Sequence, residues 1–404
     1  MDDVRRVHRL HWRDPVIDTL ALPGGTMTLR QGFGSGLAVR RGDPPGHVWA
    51  IGDRGPNIKV RDAIRHYGLD HLAPLREVAG AKIMPRTDVG PALAELRVVG
   101  NAVELLRIVP ITRADGCAIS GLANPGSDQL LSEPVFDLAG VPIPPDPDGL
   151  DTEGVVALAD GGFWVGDEFG PSLVRIDAAG AIVERWRPGG MGTPRQPGRL
   201  PAIAAKRQLN RGFEALAISD DERFLFLAFQ SPLAHPDEAA HRRARHVRLW
   251  RVDAVTGGVA AQYAYPLDPP ETFARDQAAV RFARDDIKVS ELLWLPGDAL
   301  LVLERGSATT KIYRCTLADA PPLDESFLDV ATRPTLEERS ARDGDPGFPV
   351  LAKTLMFSSD DHPEVAADLE GMALLSPSAL LLVNDNDFGV EGAETSFWLV
   401  RLLP

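Results

Sequence analysis

The sequence predicts an all-β fold: a single β-propeller domain over residues 1–404, six-bladed, with loop and helical insertions. Three observations carry this prediction. An acid-led apolar phrase returns along the chain as Asp151-Thr-Glu153-Gly-Val-Val-Ala-Leu, Gly-Phe-Glu214-Ala-Leu-Ala-Ile, Ser-Glu291-Leu-Leu-Trp-Leu and Asp368-Leu-Glu370-Gly-Met-Ala-Leu. Each copy precedes a second apolar run that ends in a polar pair: Gly-Asp167-Glu168, Phe-Gln230-Ser, Leu-Glu304-Arg305 and Asn384-Asp385-Asn386-Asp387. A fifth copy, lacking the glutamate, runs from Gly36-Leu-Ala-Val to Ile-Gly-Asp53-Arg54. Strand pairs that recur at an irregular long period mark a radially repeated sheet.

The elements follow in order. Residues 16–30 read as a strand pair that completes the last blade and hides its edge. The first blade covers 33–54. Residues 57–85 break the pattern, and Lys59-Val-Arg-Asp-Ala-Ile-Arg-His-Tyr reads as a short helix or an irregular loop. A second blade spans 94–124, with Gly100-Asn101 favouring the positive φ of a hairpin turn. The Pro/Asp/Gly stretch at 142–149 leads stiffly into a third blade at 151–187. The Gly/Pro/Arg-rich residues 187–201 read as a surface loop. Blades at 211–266, 288–328 and 366–403 complete six, with seven as the alternative count. Within and between them, 236–245 reads as helical, and 271–284 and 335–343 as polar insertions.

Spacing converts the repeated phrase into a spatial expectation. From first acid to second polar group the interval is 14 residues (Glu153 to Asp167), 16 (Glu214 to Gln230), 13 (Glu291 to Glu304) and 15 (Glu370 to Asp385). That suits two strands of about five to six residues joined by a loop. The start of the first strand then lies beside the end of the second. The first strand of a propeller blade lines the central channel, so the acids are expected around one channel mouth. Asp53, Glu153, Glu214, Glu291, Glu370 and Asp385 are the candidate metal ligands. Asp167, Glu168 and Glu304 are the candidate catalytic carboxylates, and Arg54, Arg305 and Lys311 the candidate substrate-binding cations. The plainer alternatives are acids that bond neighbouring strands and arginines that neutralise adjacent acids.

Bulk properties narrow the partners. A formal net charge of −14 argues against nucleic acid or an anionic membrane surface. No run approaches the roughly 18 apolar residues of a spanning helix, so membrane insertion is not expected. The start MDDVRRVHRLHWRDP has no apolar core and therefore no signal peptide as written. The expected location is cytoplasmic, or periplasmic or secreted where an export signal has been removed. The two cysteines, Cys117 and Cys315, form no metal or haem motif and read as separate thiols. The glycine-rich Gly32–Gly36 segment lacks a P-loop lysine, and Ser35 stands outside a Gly-x-Ser-x-Gly elbow.

Several segments together resemble the phytase-like, "esterase-like activity of phytase" family. They are Gly52-Asp53-Arg54-Gly55-Pro56-Asn57, Gly149-Leu-Asp151-Thr-Glu153-Gly, Phe163-Trp-Val-Gly-Asp167-Glu168-Phe-Gly170-Pro171 and Asn210-Arg-Gly-Phe-Glu214. Phe229-Gln230-Ser-Pro, Leu301-Val-Leu-Glu304-Arg305-Gly and Asn384-Asp385-Asn386 extend the resemblance over about residues 30–403. It implies a β-propeller, often extracytoplasmic, with phosphomonoesterase or esterase activity. The absent signal peptide departs from exported members. Histidine acid phosphatase motifs are also missing, so phytase chemistry here would be metal-assisted.

An acid ring without cysteine or histidine suits calcium or another hard divalent cation. The expected function is metal-dependent hydrolysis of phosphate monoesters of a small molecule. A calcium-dependent lactonase or carboxylesterase, or a non-catalytic metal-stabilised propeller, are the alternatives.

Overall fold

The structure, a computed structural model, describes residues 4–126, 132–191, 198–279 and 281–402. Residues 192–197, within the stretch read as a surface loop, lie outside the described residues. Among the described residues, five four-stranded antiparallel sheets form the blades. Blade I holds Gly36–Ala38, His47–Ile51, Ala92–Val99 and Ala102–Pro110. Blade II holds Thr152–Ala157, Phe163–Asp167, Ser172–Ile176 and Ile182–Trp186. Blade III holds Phe213–Ile218, Phe224–Phe229, His246–Asp253 and Val259–Pro266. Blade IV holds Lys288–Leu295, Ala299–Arg305, Thr310–Thr316 and Lys353–Ser358. Blade V holds Leu369–Ser376, Ala379–Asn384, Phe397–Leu402 and, from the other end of the chain, Val4–Leu10.

The first strand of each blade packs on the first strand of the next, and blade V packs back on blade I, which closes a ring of five. The expected six blades are thereby corrected. His47–Ile51 pairs directly with Ala92–Val99, Ala50 facing Ala94, so the clusters at 33–54 and 94–124 are one blade interrupted by an insertion. The ring closure differs too. Val4–Leu10, with Leu10 opposite Phe397, covers the edge of blade V. Val16–Leu22 and Gly25–Arg30 instead form a separate hairpin, because its buried Met27 and Leu29 pack into a different core.

Blade-to-blade packing is apolar and aromatic. Trp49 of blade I meets Phe163 of blade II edge-on at 4.8 Å, and Phe226 of blade III stacks on Trp294 of blade IV at 4.9 Å. Such pairs add about 0.5–1.5 kcal/mol beyond the area they bury. Both faces of a blade are covered by neighbours, so Ala299–Arg305 is buried throughout.

The insertion in blade I builds a cap. Its helix Val60–Tyr67 buries Val60, Ala63, Ile64 and Tyr67 and ends at Gly68, whose φ of 63° is left-handed. A small sheet of Ile58–Lys59, Lys82–Ile83, Val135–Phe136 and Pro142–Ile143 supports the helix. Ile58, Ile83, Phe136 and the hairpin residues Met27 and Leu29 share one core with Val390 of the loop after blade V's second strand. The Tyr67 hydroxyl donates to the Val390 carbonyl at 2.5 Å, tying cap to blade V. The helical reading of 236–245 holds as a short capped helix at Glu238–Arg243, and the polar insertion at 335–343 contains a second, Leu336–Ser340. Cys117 and Cys315 are free thiols.

Candidate functional site

Near its start, the inner strand of blades II to V slips register, between Thr152 and Val155, Phe213 and Ala215, Val289 and Glu291, and Leu369 and Gly371. A bulge re-aims the side chain it carries. The slips contain Glu153, Glu214, Ser290 and Glu370; in blade I the corresponding residue before the strand is Ser35. Ser35, Glu153, Glu214 and Glu370 line one cavity of about 440 Å³, together with Asp53, Glu168, Gln230 and Asp385 from the ends of the second strands. Convergence of six predicted acids is thus observed: Asp53, Glu153, Glu168, Glu214, Glu370 and Asp385. The cap forms the opposite wall through Lys59, Arg61, His66 and Lys82.

The acids are crowded and dry. Asp151, Glu153 and Glu168 are buried and bring one carboxylate oxygen each within 4.8 Å of the others. Burial, and then the neighbouring Glu214, push the Glu153 and Glu168 carboxyls well above the usual range. Burial also raises Asp53 to about 7, Asp151 to about 6, and Asp385 well above the usual carboxylate range. Such shifts are what carboxylates sharing a desolvated site must show. Glu168 Oε1, Glu214 Oε2 and Asp385 Oδ1 are buried without a hydrogen-bond partner, and Asp151 Oδ2 has only Arg54 Nε, at 3.4 Å. An orphaned buried carboxylate oxygen is costly unless a cation or proton meets it. The donor set therefore fits a hard divalent cation: all oxygen, several carboxylates, and no sulfur or imidazole among the orphans.

Other predicted residues stand elsewhere. Glu291 is fully buried on the channel axis, where it accepts from the Leu37 amide at 3.2 Å and the Leu292 amide at 3.1 Å. The amides of Leu216 and Met372 also act on it. Its register is one residue past the bulge, at the place of Gly36, Gly154, Ala215 and Gly371. Those small residues leave the axis open for it: a Cβ on Gly36 would lie 3.4 Å from Glu291 Oε2 and 2.7 Å from the Glu153 carbonyl. Beyond Glu291 the channel opens into an apolar pocket lined by Leu37, Leu216, Trp294 and Leu374.

Asp167 and Glu304 occupy one register position, opposite Thr152 and Val289, which turns them away from the mouth by strand alternation. Asp167 takes hydrogen bonds from Ser172 and Arg185, both at 2.7 Å. Glu304 is held by Lys353 at 2.6 Å and by the Tyr265 hydroxyl at 2.7 Å. Both are structural ties, not mouth carboxylates. Lys311 likewise pairs with Asp268 at 2.8 Å and Thr272 at 2.6 Å, away from the cavity. Arg54 and Arg305 do reach the mouth, but each is committed to protein partners. Arg54 donates to Glu133 at 2.5 Å and Asn210 at 2.8 Å. Arg305 bonds Ser290 at 2.8 Å and pairs with Asp368 and Glu370.

The expected set omitted Asp151, Asp368 and Lys288. The signal for them was in the phrase itself: Asp151-Thr-Glu153, Lys288-Val-Ser290 and Asp368-Leu-Glu370 place a charged residue two before the bulge. Residues two apart on a strand share a face. The cap cations carried no such signal, because they reach the mouth only through tertiary packing.

The fold and the site together define a class: a five-bladed propeller whose channel is capped at one end over a buried carboxylate cluster. The chain matches, over residues 28–388, the family described as phytase-like, "esterase-like activity of phytase", and it belongs to that family. It is 28% identical over 328 residues to an uncharacterized secreted protein of Arthroderma benhamiae. The match covers 68% of this chain and 59% of that protein, so the chain spans about three fifths of the relative's length. Two solved structures with which it aligns are the PQQ-bound aldose sugar dehydrogenase of Streptomyces coelicolor and the β-propeller domain of Cps50 from Myceliophteria thermophila. The first shows 11% identity, coverage of 98% of both chains and a TM-score of 0.34. The second shows 11% identity, coverage of 96% and 99%, and a TM-score of 0.35. At these scores neither likeness bears on the chemistry. No helix of the described residues is long and apolar enough to cross a membrane.

Proposed function

We propose that this protein is a metal-dependent hydrolase that cleaves phosphate monoesters of small molecules at the capped mouth, with calcium as its cation. The observation that carries the reading is the buried trio Asp151, Glu153 and Glu168, with Glu168 Oε1 left without a hydrogen-bond partner and Asp151 Oδ2 met only by Arg54 Nε at 3.4 Å. Asp53 and Glu214 stand beside it to complete an oxygen shell. A bound ion of this kind supplies charge neutralisation at the ester oxygens and a modest acidification of water. The chain's residues do the rest. Asp385, on the blade V side of the cavity and outside that shell, accepts the proton of the attacking water. The cap covers the mouth with Lys59, Arg61 and Lys82, which favour an anionic substrate and exclude bulk water.

Family membership supports ester hydrolysis. The secreted relative supports a location outside the cytoplasm, where modules with calcium affinities of about 10⁻⁴–10⁻³ M function.

The test is an assay of chelator-treated protein on p-nitrophenyl phosphate, p-nitrophenyl acyl esters and lactones, before and after calcium is restored. Phosphate release that returns with calcium and is absent in Glu153→Gln is expected. Turnover that survives both chelation and this substitution would overturn the reading. Calcium-dependent turnover of acyl esters or lactones alone would replace the substrate class.

A further inference from the structure

The mouth is acidic on one side only. Strand register aligns four pairs at its floor. In blade II, Asp151 faces Glu168, whose amide bonds the Asp151 carbonyl. In blade III, Gly212 faces Gln230 in the same way. In blade IV, Lys288 faces Arg305. In blade V, Asp368 and Asp385 follow from the pairing of Leu369 with Asn384. The bulge glutamate of the other three blades is Ser290 in blade IV. So blade IV, at both positions where blades II and V carry carboxylates, carries cations and a hydroxyl. Arg211, in the turn that enters blade III, adds a further cation on this side.

The partners of these cations differ. Arg305 is taken by Asp368 and Glu370. Arg211 Nη1 is buried and has no hydrogen-bond partner. Among the described residues no carboxylate lies within ion-pair distance of Arg211 or Lys288. Both line a cleft of about 560 Å³ with Lys82, Asn210 and Gln230. Lys288, Lys82, Asn210 and Gln230 also line the acid-floored cavity, so the two spaces meet there. Two partly buried cations of like charge that line one cleft without an ion-pair partner are a ready site for an anion. The field on Lys288 is consistent with this: Arg305 first, then burial and Arg211, hold its ammonium below the usual range against the opposing pull of Asp368 and Glu214.

We infer that Lys288 and Arg211 form an oxyanion seat that receives the phosphoryl group of the substrate, opposite the cation-binding trio. The seat takes its ligand's identity from the hydrolase reading, but its existence stands on the geometry alone. Arg211 offers its fork to two oxygens, and Lys288 adds a point charge. The seat supplies what the expected cations Arg54, Arg305 and Lys311 cannot, since those are already bonded within the protein. It also selects charged phosphate esters over neutral acyl esters and lactones.

The probe is inorganic phosphate, titrated calorimetrically into calcium-loaded wild type and into Lys288→Met, Arg211→Met and Arg175→Met. Arg175 lies on blade II away from the mouth, bonded to the Ile176 carbonyl at 2.8 Å. Phosphate binding at least about tenfold weaker in the two seat variants, a loss of about 1.4 kcal/mol, is expected, with Arg175→Met unchanged. Arg211→Lys, which keeps the charge and loses the fork, is expected to fall between. Circular dichroism melts exclude unfolding, and Lys288→Gln replaces Lys288→Met should the latter not fold. Phosphate bound equally by wild type and both seat variants, or not bound at all, overturns the seat. The two readings fail separately. Phosphate held by Lys288 and Arg211 with no turnover on any ester keeps the seat and removes the hydrolase. Calcium-dependent phosphatase activity with unchanged KM in both variants does the reverse.

Discussion

One residue of phase separates Glu291 from Glu153, Glu214 and Glu370, and it moves the side chain from the mouth to the axis. At the mouth a glutamate faces other acids; on the axis it faces backbone amides of several blades. The two positions respond differently to the same substitution. Glu153→Gln is expected to weaken calcium binding at least about tenfold and to leave the melting temperature of the metal-free protein unchanged or higher, since one repelling charge is gone. Glu291→Gln turns an amide donor onto amide donors, at a cost of about 1–3 kcal/mol in chemical denaturation, with calcium affinity kept. Glu304→Gln belongs with Glu291. It weakens the hold on Lys353, which retains Asp268, so a loss of no more than about 3 kcal/mol is expected, again without effect on calcium. Equal calcium loss in Glu153→Gln and Glu304→Gln would refute the separation of mouth from blade interior. The phase difference was legible in hindsight: Glu153, Glu214 and Glu370 precede a glycine or alanine, whereas Glu291 precedes leucine. What the sequence could not display was the bulge, because a register slip is a property of two strands.

At the scale of elements, the strand pairs of blades II to V could be read directly, since each hairpin is local and carries its own acid and turn. Blade I was cut in two because its second and third strands are separated by the cap, whose helix and small sheet have patterns of their own. The closing strand was misassigned for a related reason. Val16–Leu22 and Gly25–Arg30 alternate more cleanly than Val4–Leu10, but their apolar face belongs to the cap. The Tyr67 to Val390 bond is one of the ties that hold that cap. Tyr67→Phe is expected to cost about 1 kcal/mol and to raise amide exchange across Val60–Tyr67 with little change in the blades. Uniform loosening of cap and blades would show that the cap is not a separate unit of stability.

At the scale of the whole molecule, the channel concentrates negative charge that the chain itself does not neutralise. Asp53 at about 7, Asp151 at about 6, and Glu153, Glu168 and Asp385 held well above the usual carboxylate range, all bind protons in the folded state at pH values where an unfolded carboxyl has lost its own. Stability from these groups is therefore greatest at low pH and is lost as pH rises through their folded values. A cation takes the place of those protons, so binding releases them. The melting-temperature gain given by a fixed calcium concentration is expected to be larger at pH 8 than at pH 5. An equal gain at both would mean that calcium binds away from these acids.

The most direct measurement is calorimetric titration of calcium into chelator-stripped protein at neutral pH, run on wild type, Glu168→Gln and Glu304→Gln side by side. Saturable binding in wild type and Glu304→Gln, with proton release and at least about tenfold weakening in Glu168→Gln, is the expected result. No saturable binding in wild type, or the same affinity in wild type and Glu168→Gln, would contradict a cation site at the channel mouth.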